Sequence, residues 1–389
     1  MNNRWVVLAA GCLMQTVLGG IYAWSTFVPY LTKAFGLTSG QCGLIFGLSI
    51  LIFTSVMILA GRILVRKGPR FTALISALLF ALGYLLASFS GGAFMPLLLS
   101  LGVITGCGIG FGYVCPVSVG MQWFPERKGL VTGVAVAGFG SGAIVLSSIA
   151  EYLLLSGVDV LTFFRWYGVC AGLVLFSAAL LLRDPPGTRY NTANNGEKSE
   201  VFTWPFYLCS IGIFAGTFAG LLIIGNLTPI IIKTGLTERQ AALAVSIFAV
   251  GNGAGRIIWG RLFDQWNYRC IPLSLGSFAL AAGLLLVPLP APARMLTVVL
   301  IGFCFGANFV LYASAISRYF GTGAFPRLYP ICFMAYGVAG VIGPGLGGWL
   351  ADQTGTYHTA IYICITLVAL ASVFTLIRLP VFYSNPRPE

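Results

Sequence analysis

The chain has 389 residues, 58% of them apolar and only 8% charged, and a mean hydropathy of +0.92; soluble domains carry about 25% charged residues. A water-soluble protein of this length cannot hide that much apolar surface, so the expected solvent is lipid. The net charge of +12 could suggest nucleic acid or anionic lipid as a partner, but its distribution along the chain gives it a different meaning.

A bilayer core takes about 20 apolar residues per helix. Twelve such segments are predicted, at 5–31, 42–65, 71–90, 95–121, 129–157, 161–182, 204–232, 240–263, 271–290, 295–317, 327–350 and 359–379. The fold class is therefore all-α, a polytopic membrane protein. The first segment is too long for a removable signal sequence and is read as a spanning helix. With the N-terminus inside, sixteen Lys and Arg fall on cytoplasmic segments against five outside. The positive-inside rule then puts both termini in the cytoplasm of a multi-pass protein of the cell (inner) membrane. The ten cysteines show no paired or metal-like spacing, and neither metal nor cofactor is expected. Nor is a nucleic-acid partner, and the expected assembly is a monomer.

Between spans 6 and 7 the stretch Arg183–Thr203, containing DPPGTRYNTANNGEKSE, is polar and without apolar period. It reads as a cytoplasmic linker, dividing an N-terminal six-helix bundle (1–182) from a C-terminal one (204–389). The halves repeat. GRILVRKGPR (61–70) returns as GRLFDQWNYR (260–269), 199 positions later, and GFGYVCPVSVGMQWF (110–124) returns as GANFVLYASAISRYF (306–320), 196 positions later. Such self-similarity is expected of a transporter built from two parallel repeats.

These loops resemble the signature of the major facilitator superfamily, a Gly-x-Leu-x-Asp run followed by basic residues. The C-terminal copy keeps the acid as Asp264, while the N-terminal copy has Val65 there. Arg66, Arg70, Asp264 and Arg269 are read as conformational-switch loops, in which an acid pairs in one state and releases in the other; plain topology anchoring by positive charge is the competing reading. The chain more closely resembles the monocarboxylate transporter and oxalate–formate antiporter families, through GGIYAW (19–24) and WFPERKGLVTGVAVAG (123–138).

One charge lies deep inside a span. Arg256 is well within span 8, a placement that costs about 2.5–3.5 kcal/mol on the lenient insertion scale, and the sequence sets no Asp or Glu at comparable depth. It reads as an anion-binding cation, against the alternative that it snorkels to the inner surface. Gly251, Gly253 and Gly255 beside it leave room for a ligand or for a close helix. The resemblance implies the same role, because both families place a substrate-binding Arg at this point. The oxalate-exchanging members carry a second cation, a Lys, where this chain has Tyr336. One guanidinium matches one carboxylate, so the expectation is a small monocarboxylate of the lactate, pyruvate or formate class, with an oxalate/formate-type exchanger as the alternative.

Asn252 lies one turn before Arg256 on the same face. Tyr22, Tyr113, Asn308 and Tyr336 offer polar groups at mid-depth, and Phe139, Phe305 and Phe309 offer rings; all are candidates for the substrate site, with helix packing as the alternative for each. The resemblance implies cavity positions for Tyr22, Tyr113 and Tyr336. Proton coupling is left open, because the only histidine, His358, is at the outer end of span 12. GCGIGFG (106–112) lies inside an apolar span, so it is no dinucleotide site, and no Walker loop is present. The chain is thus expected to be a secondary carrier and not an enzyme.

Overall fold

The computed structural model describes residues 4–188 and 201–383. Most of the expected linker, including Arg189 and Lys198, lies outside the described residues, as does Arg387. Every regular element among the described residues is helical. Ten helical stretches are long and apolar enough to cross a membrane, and two of them, Gln41–Ser88 and Leu243–Leu286, run 48 and 44 residues. Each is about twice the 20 residues a bilayer needs, so each makes two crossings and the total is twelve.

The chain divides into two units, Met1–Pro125 with Val134–Thr192, and Glu126–Gly133 with Ala193–Glu389. The first contains α1 (Arg4–Leu18), α2 (Trp24–Phe35), α3 (Ser39–Ser88), α4 (Phe94–Leu97), α5 (Gly106–Trp123), α6 (Lys128–Leu155) and α7 (Val160–Leu181), except that the first turns of α6 group with the second unit. In it α3 packs along α5 and α7, and α1 along α5. The second contains α8 (Trp204–Gly225), α9 (Leu227–Lys233), α10 (Glu238–Trp266), α11 (Cys270–Gly283), α12 (Ala291–Phe320), α13 (Phe325–Thr354) and α14 (His358–Ile377). There α10 packs along α12, α8 along α13 and α11 along α14.

The repeat extends to the helix starts. Thr38 caps α3 in a reciprocal box with Gln41, its hydroxyl taking the Gln41 amide at 3.1 Å while Gln41 Oε1 takes the Thr38 amide at 2.9 Å. Thr237 and Gln240, 199 positions later, do the same for α10. Each box satisfies two amides that a helix start leaves open. The inner turns match as well: α3 bends at Gly68 (φ 82°), and the residue 199 positions on, Asn267, also has positive φ (56°).

Span 1 differs from the single helix expected over 5–31. It breaks into α1, a 3-10 turn over Gly19–Ala23 and α2. A Cβ at Gly19 would collide with the carbonyl of Phe139 on α6, and one at Gly20 would come within 2.8 Å of Leu146. The two glycines let the chain approach α6 where a continuous helix with side chains could not. Span 7 also breaks, at Asn226, whose amide donates to the Leu222 carbonyl at 2.9 Å and to the Pro344 carbonyl of α13 at 3.1 Å.

Candidate functional site

Arg256 is 1% exposed, in the interior of α10. Burial of its whole side chain disposes of the snorkelling alternative, which would leave the guanidinium at a surface. Its Nε donates to Asn252 Oδ1 at 3.1 Å, and its guanidinium carbon lies 4.4 Å from the centre of the Phe309 ring. The amide fixes the edge of the guanidinium plane, and the ring gives the cation a polarisable face.

The neighbouring glycines are mostly spent on bringing α12 close. A Cβ at Gly251 would strike the carbonyl of Val299, one at Gly255 that of Phe303, one at Gly302 that of Phe248 and one at Gly306 that of Asn252. Contact on both sides lets the two backbones touch, which carries Phe309 of α12 to Arg256 of α10. Of the two readings open for these glycines, Gly251 and Gly255 follow the close helix, while at Gly253 an added Cβ would meet nothing within 4 Å.

Around Phe309 the second unit gathers aromatic rings. Tyr336 meets it edge-on at 5.4 Å and 77°, Phe305 edge-on at 5.1 Å and 87°, and Phe333 completes the group 5.0 Å from Tyr336. Phe333 went unnoticed in the sequence; its signal is its place one turn before Tyr336. Asn308 is directed elsewhere. Its amide donates to the carbonyls of Cys304 and Phe305 on its own helix, at 3.3 and 3.0 Å, and it packs against Gly216 of α8.

The first unit repeats this geometry without the charge. Tyr113 meets Phe139 edge-on at 5.1 Å and 84°, the counterpart of Phe309 with Tyr336, with the phenol moved to the other member of the pair. Tyr22 adds a second edge to Phe139 at 5.5 Å, and Phe53 stands 5.3 Å from Tyr113. Phe53 also went unnoticed, although it precedes Asn252 by 199 positions. The correspondence is structural as well. A Cβ at Gly106 would come 2.9 Å from the Ser49 carbonyl and one at Gly110 2.7 Å from the Phe53 carbonyl, as Gly302 and Gly306 meet Phe248 and Asn252. On this register the mate of Arg256 is Met57, fully buried.

The loop residues separate. Asp264 leaves α10 near its end and accepts hydrogen bonds from the amides of Gly129 at 2.8 Å and Leu130 at 2.9 Å, at the start of α6. This is N-terminal capping by a carboxylate from a distant helix, favoured by the exposed amides and by the helix dipole. Gly129 and Gly260 face each other so closely that a Cβ on either would strike the carbonyl of the other. Arg70 donates from Nη2 to the Leu180 carbonyl at 2.7 Å, at the end of α7. Arg66 and Arg269 are exposed.

The sequence pattern of the Major Facilitator Superfamily matches residues 9–325 and 209–389. The chain is 26% identical over 374 residues to the oxalate:formate antiporter of Oxalobacter formigenes, covering 93% of this chain and 88% of that one. It is 25% identical over 396 residues to monocarboxylate transporter 13 of Rattus norvegicus, covering 97% and 89%. Among solved structures, the E. coli fucose:proton symporter FucP in its outward conformation is similar in fold, with a TM-score of 0.75 at 18% identity over 95% of this chain and 98% of that one. Twelve crossings, two repeated halves and a sequence match along nearly its whole length lead to one assignment: the chain belongs to the major facilitator superfamily of membrane transporters, with relatives of the oxalate–formate antiporter and monocarboxylate transporter type.

Proposed function

We propose that the protein is a secondary carrier for a small monocarboxylate of the lactate, pyruvate or formate class, working by alternating access in the cell (inner) membrane with both termini cytoplasmic. The observation that carries this reading is Arg256: a permanently charged guanidinium, 1% exposed inside a spanning helix, held in plane by Asn252 and backed by Phe309. A planar, oriented guanidinium is the side chain whose geometry matches a carboxylate. Beside Arg256, the rings of Phe305, Phe309 and Tyr336 would shield the substrate from water, and the Tyr336 phenol would serve a keto or hydroxyl group; Tyr22, Tyr113 and Phe139 are proposed as the substrate-binding residues of the first half. Asn308 has the weakest claim, since its amide already bonds its own helix.

Two features favour one carboxylate over two. Tyr336 stands where the oxalate-exchanging relatives are expected to carry Lys, and Met57 is the repeat mate of Arg256, so the cation is not duplicated in the first half. A second carboxylate would stay charged in a low-dielectric site. The Asp264 contact with the start of α6 is proposed to be one state of a conformational clasp, with Arg318 and Arg127 as the basic groups acting on its carboxylate; Arg66, Arg70 and Arg269 are proposed as the basic residues of the two switch loops.

The test is uptake of labelled lactate, pyruvate, formate and oxalate into liposomes holding the purified protein, with and without an imposed proton gradient, beside Arg256→Gln and Arg256→Lys. Monocarboxylate uptake abolished by Arg256→Gln and strongly reduced by Arg256→Lys supports the reading. Oxalate outcompeting lactate overturns the substrate class in favour of oxalate/formate-type exchange, and uptake indifferent to Arg256→Gln overturns the site.

A further inference from the structure

Beyond α14 the chain turns through a short 3-10 segment, Leu379–Phe382, and comes back under the second unit. Phe382 is 1% exposed. Its ring stacks on Tyr268 with centroids 4.4 Å apart and planes 14° from parallel, and Tyr319 at the foot of α12 meets its edge at 6.1 Å. Tyr383 adds an edge-on contact to Tyr268 at 5.6 Å. Arg378, at the start of this segment, places its guanidinium 4.9 Å from the centre of the Trp204 ring.

Tyr268 is also buried and meets Phe263 edge-on at 5.8 Å. Phe263 immediately precedes Asp264, and Tyr268 follows it by four residues, across the turn at Asn267. The rings therefore bracket the segment that carries the Asp264 carboxylate to the Gly129 and Leu130 amides.

We propose that Phe382 is a positioning residue, and that the C-terminal segment is a strap which holds Tyr268 and thereby keeps Asp264 on the first turn of α6. The strap biases the carrier toward the state in which that contact is made. Release of the segment would free the Asn267 turn, let the carboxylate leave its amides and raise the rate of departure from that state. This inference rests on the clasp reading of Asp264, but it holds whatever the substrate is.

The test is hydrogen–deuterium exchange on full-length protein in lipid nanodiscs, read on the peptide covering residues 126–133, for wild type, Phe382→Ala, Phe382→Tyr, Tyr268→Leu and Asp264→Asn. A lost aromatic stack should shift the open population about tenfold. The expected result is faster exchange on that peptide in Phe382→Ala and Tyr268→Leu, wild-type exchange in Phe382→Tyr, which keeps the stack, and the largest increase in Asp264→Asn. Peptides from α13 serve as the folding control. If Asp264→Asn leaves the 126–133 peptide unchanged, the clasp and the strap both fall. If Asp264→Asn speeds exchange while Phe382→Ala and Tyr268→Leu do not, the strap alone falls. A merely structural anchor would loosen α14 and the α13 control without selecting residues 126–133.

Discussion

Asn252 Oδ1 accepts a hydrogen bond from Arg256 Nε at 3.1 Å, one helical turn away on α10. The contact makes position 252 a control on the cation. Asn252→Ala removes an acceptor from a buried charged donor, a loss of about 1–3 kcal/mol, and should raise KM for the transported carboxylate about tenfold while leaving the fold intact. Asn252→Asp would place a carboxylate where it competes with the substrate for the same guanidinium. Its uptake should be poor at neutral pH and recover as the aspartate is protonated on acidification. Liposome uptake between pH 5 and 8 measures both, and an Asn252→Asp carrier with the wild-type pH profile would refute the role of the amide.

Backbone contact between α10 and α12 depends on glycine at four places, Gly251, Gly255, Gly302 and Gly306, each facing a carbonyl of the other helix. Added methyls in a packed interior cost about 1–3 kcal/mol. Gly255→Ala and Gly306→Ala should each lower the thermal midpoint in detergent and weaken transport, by moving Phe309 away from Arg256. Gly253→Ala, with open space at its Cβ, should do neither. The same substitution at Gly110 should be milder than at Gly306, because Gly110 approaches the Phe53 carbonyl less closely.

Twelve crossings, the two halves and the position of Arg256 were legible because each is a matter of composition or spacing: apolar runs of bilayer length, echoes at offsets of 199 and 196, and a charge deep inside an apolar run of bilayer length. Contacts made by small residues across helices were not. Gly251 and Gly255 read equally well as room for a ligand or for a neighbour, and only the facing carbonyls of Val299 and Phe303 decide. The break at Gly19–Ala23 is set by the approach to Phe139, more than a hundred residues away, so no local apolar pattern announces it. Asp264 was visible as an acid in a basic loop, but its partners are backbone amides, which carry no sequence signature. Asn308 shows the converse: an amide at mid-span looked like a ligand group, yet it bonds the carbonyls of its own preceding turn.

The start of α7 allows a prediction about pH. Asp159 Oδ1 accepts the amides of Leu161 at 3.0 Å and Thr162 at 2.9 Å. Hydrogen bonding from Thr162, more than from Leu161, holds its carboxyl below the ordinary carboxylate range. A carboxylate whose folded-state titration is depressed contributes its stability above the unfolded-state value, near 3.9, and loses it as pH falls through the lower folded-state value. Asp159→Ala should therefore destabilise by about 1 kcal/mol at neutral pH. The gap between variant and wild type should close only under strongly acidic conditions, read as thermal midpoints across pH.

The two inner turns make a matched pair for a swap. Gly68 has φ 82° and ψ 169°, a region open to glycine almost alone, and its repeat mate Asn267 has φ 56° and ψ −139°. A side chain held in such a region costs about 1–3 kcal/mol, whereas glycine there gives up about 0.5–1 kcal/mol through its freer unfolded chain. Strain at Asn267 therefore exceeds what glycine would forfeit, and its Oδ1 is buried with no hydrogen-bond partner, so little is lost by removing it. Asn267→Gly should raise the thermal midpoint slightly, and Gly68→Asn should lower it by more. Because Asn267 lies between Asp264 and Tyr268, the glycine variant should also loosen the hold on the Gly129 and Leu130 amides. Higher thermal stability together with faster exchange of the 126–133 peptide is the joint result expected, and a fall in stability for Asn267→Gly would show that the turn is not strained.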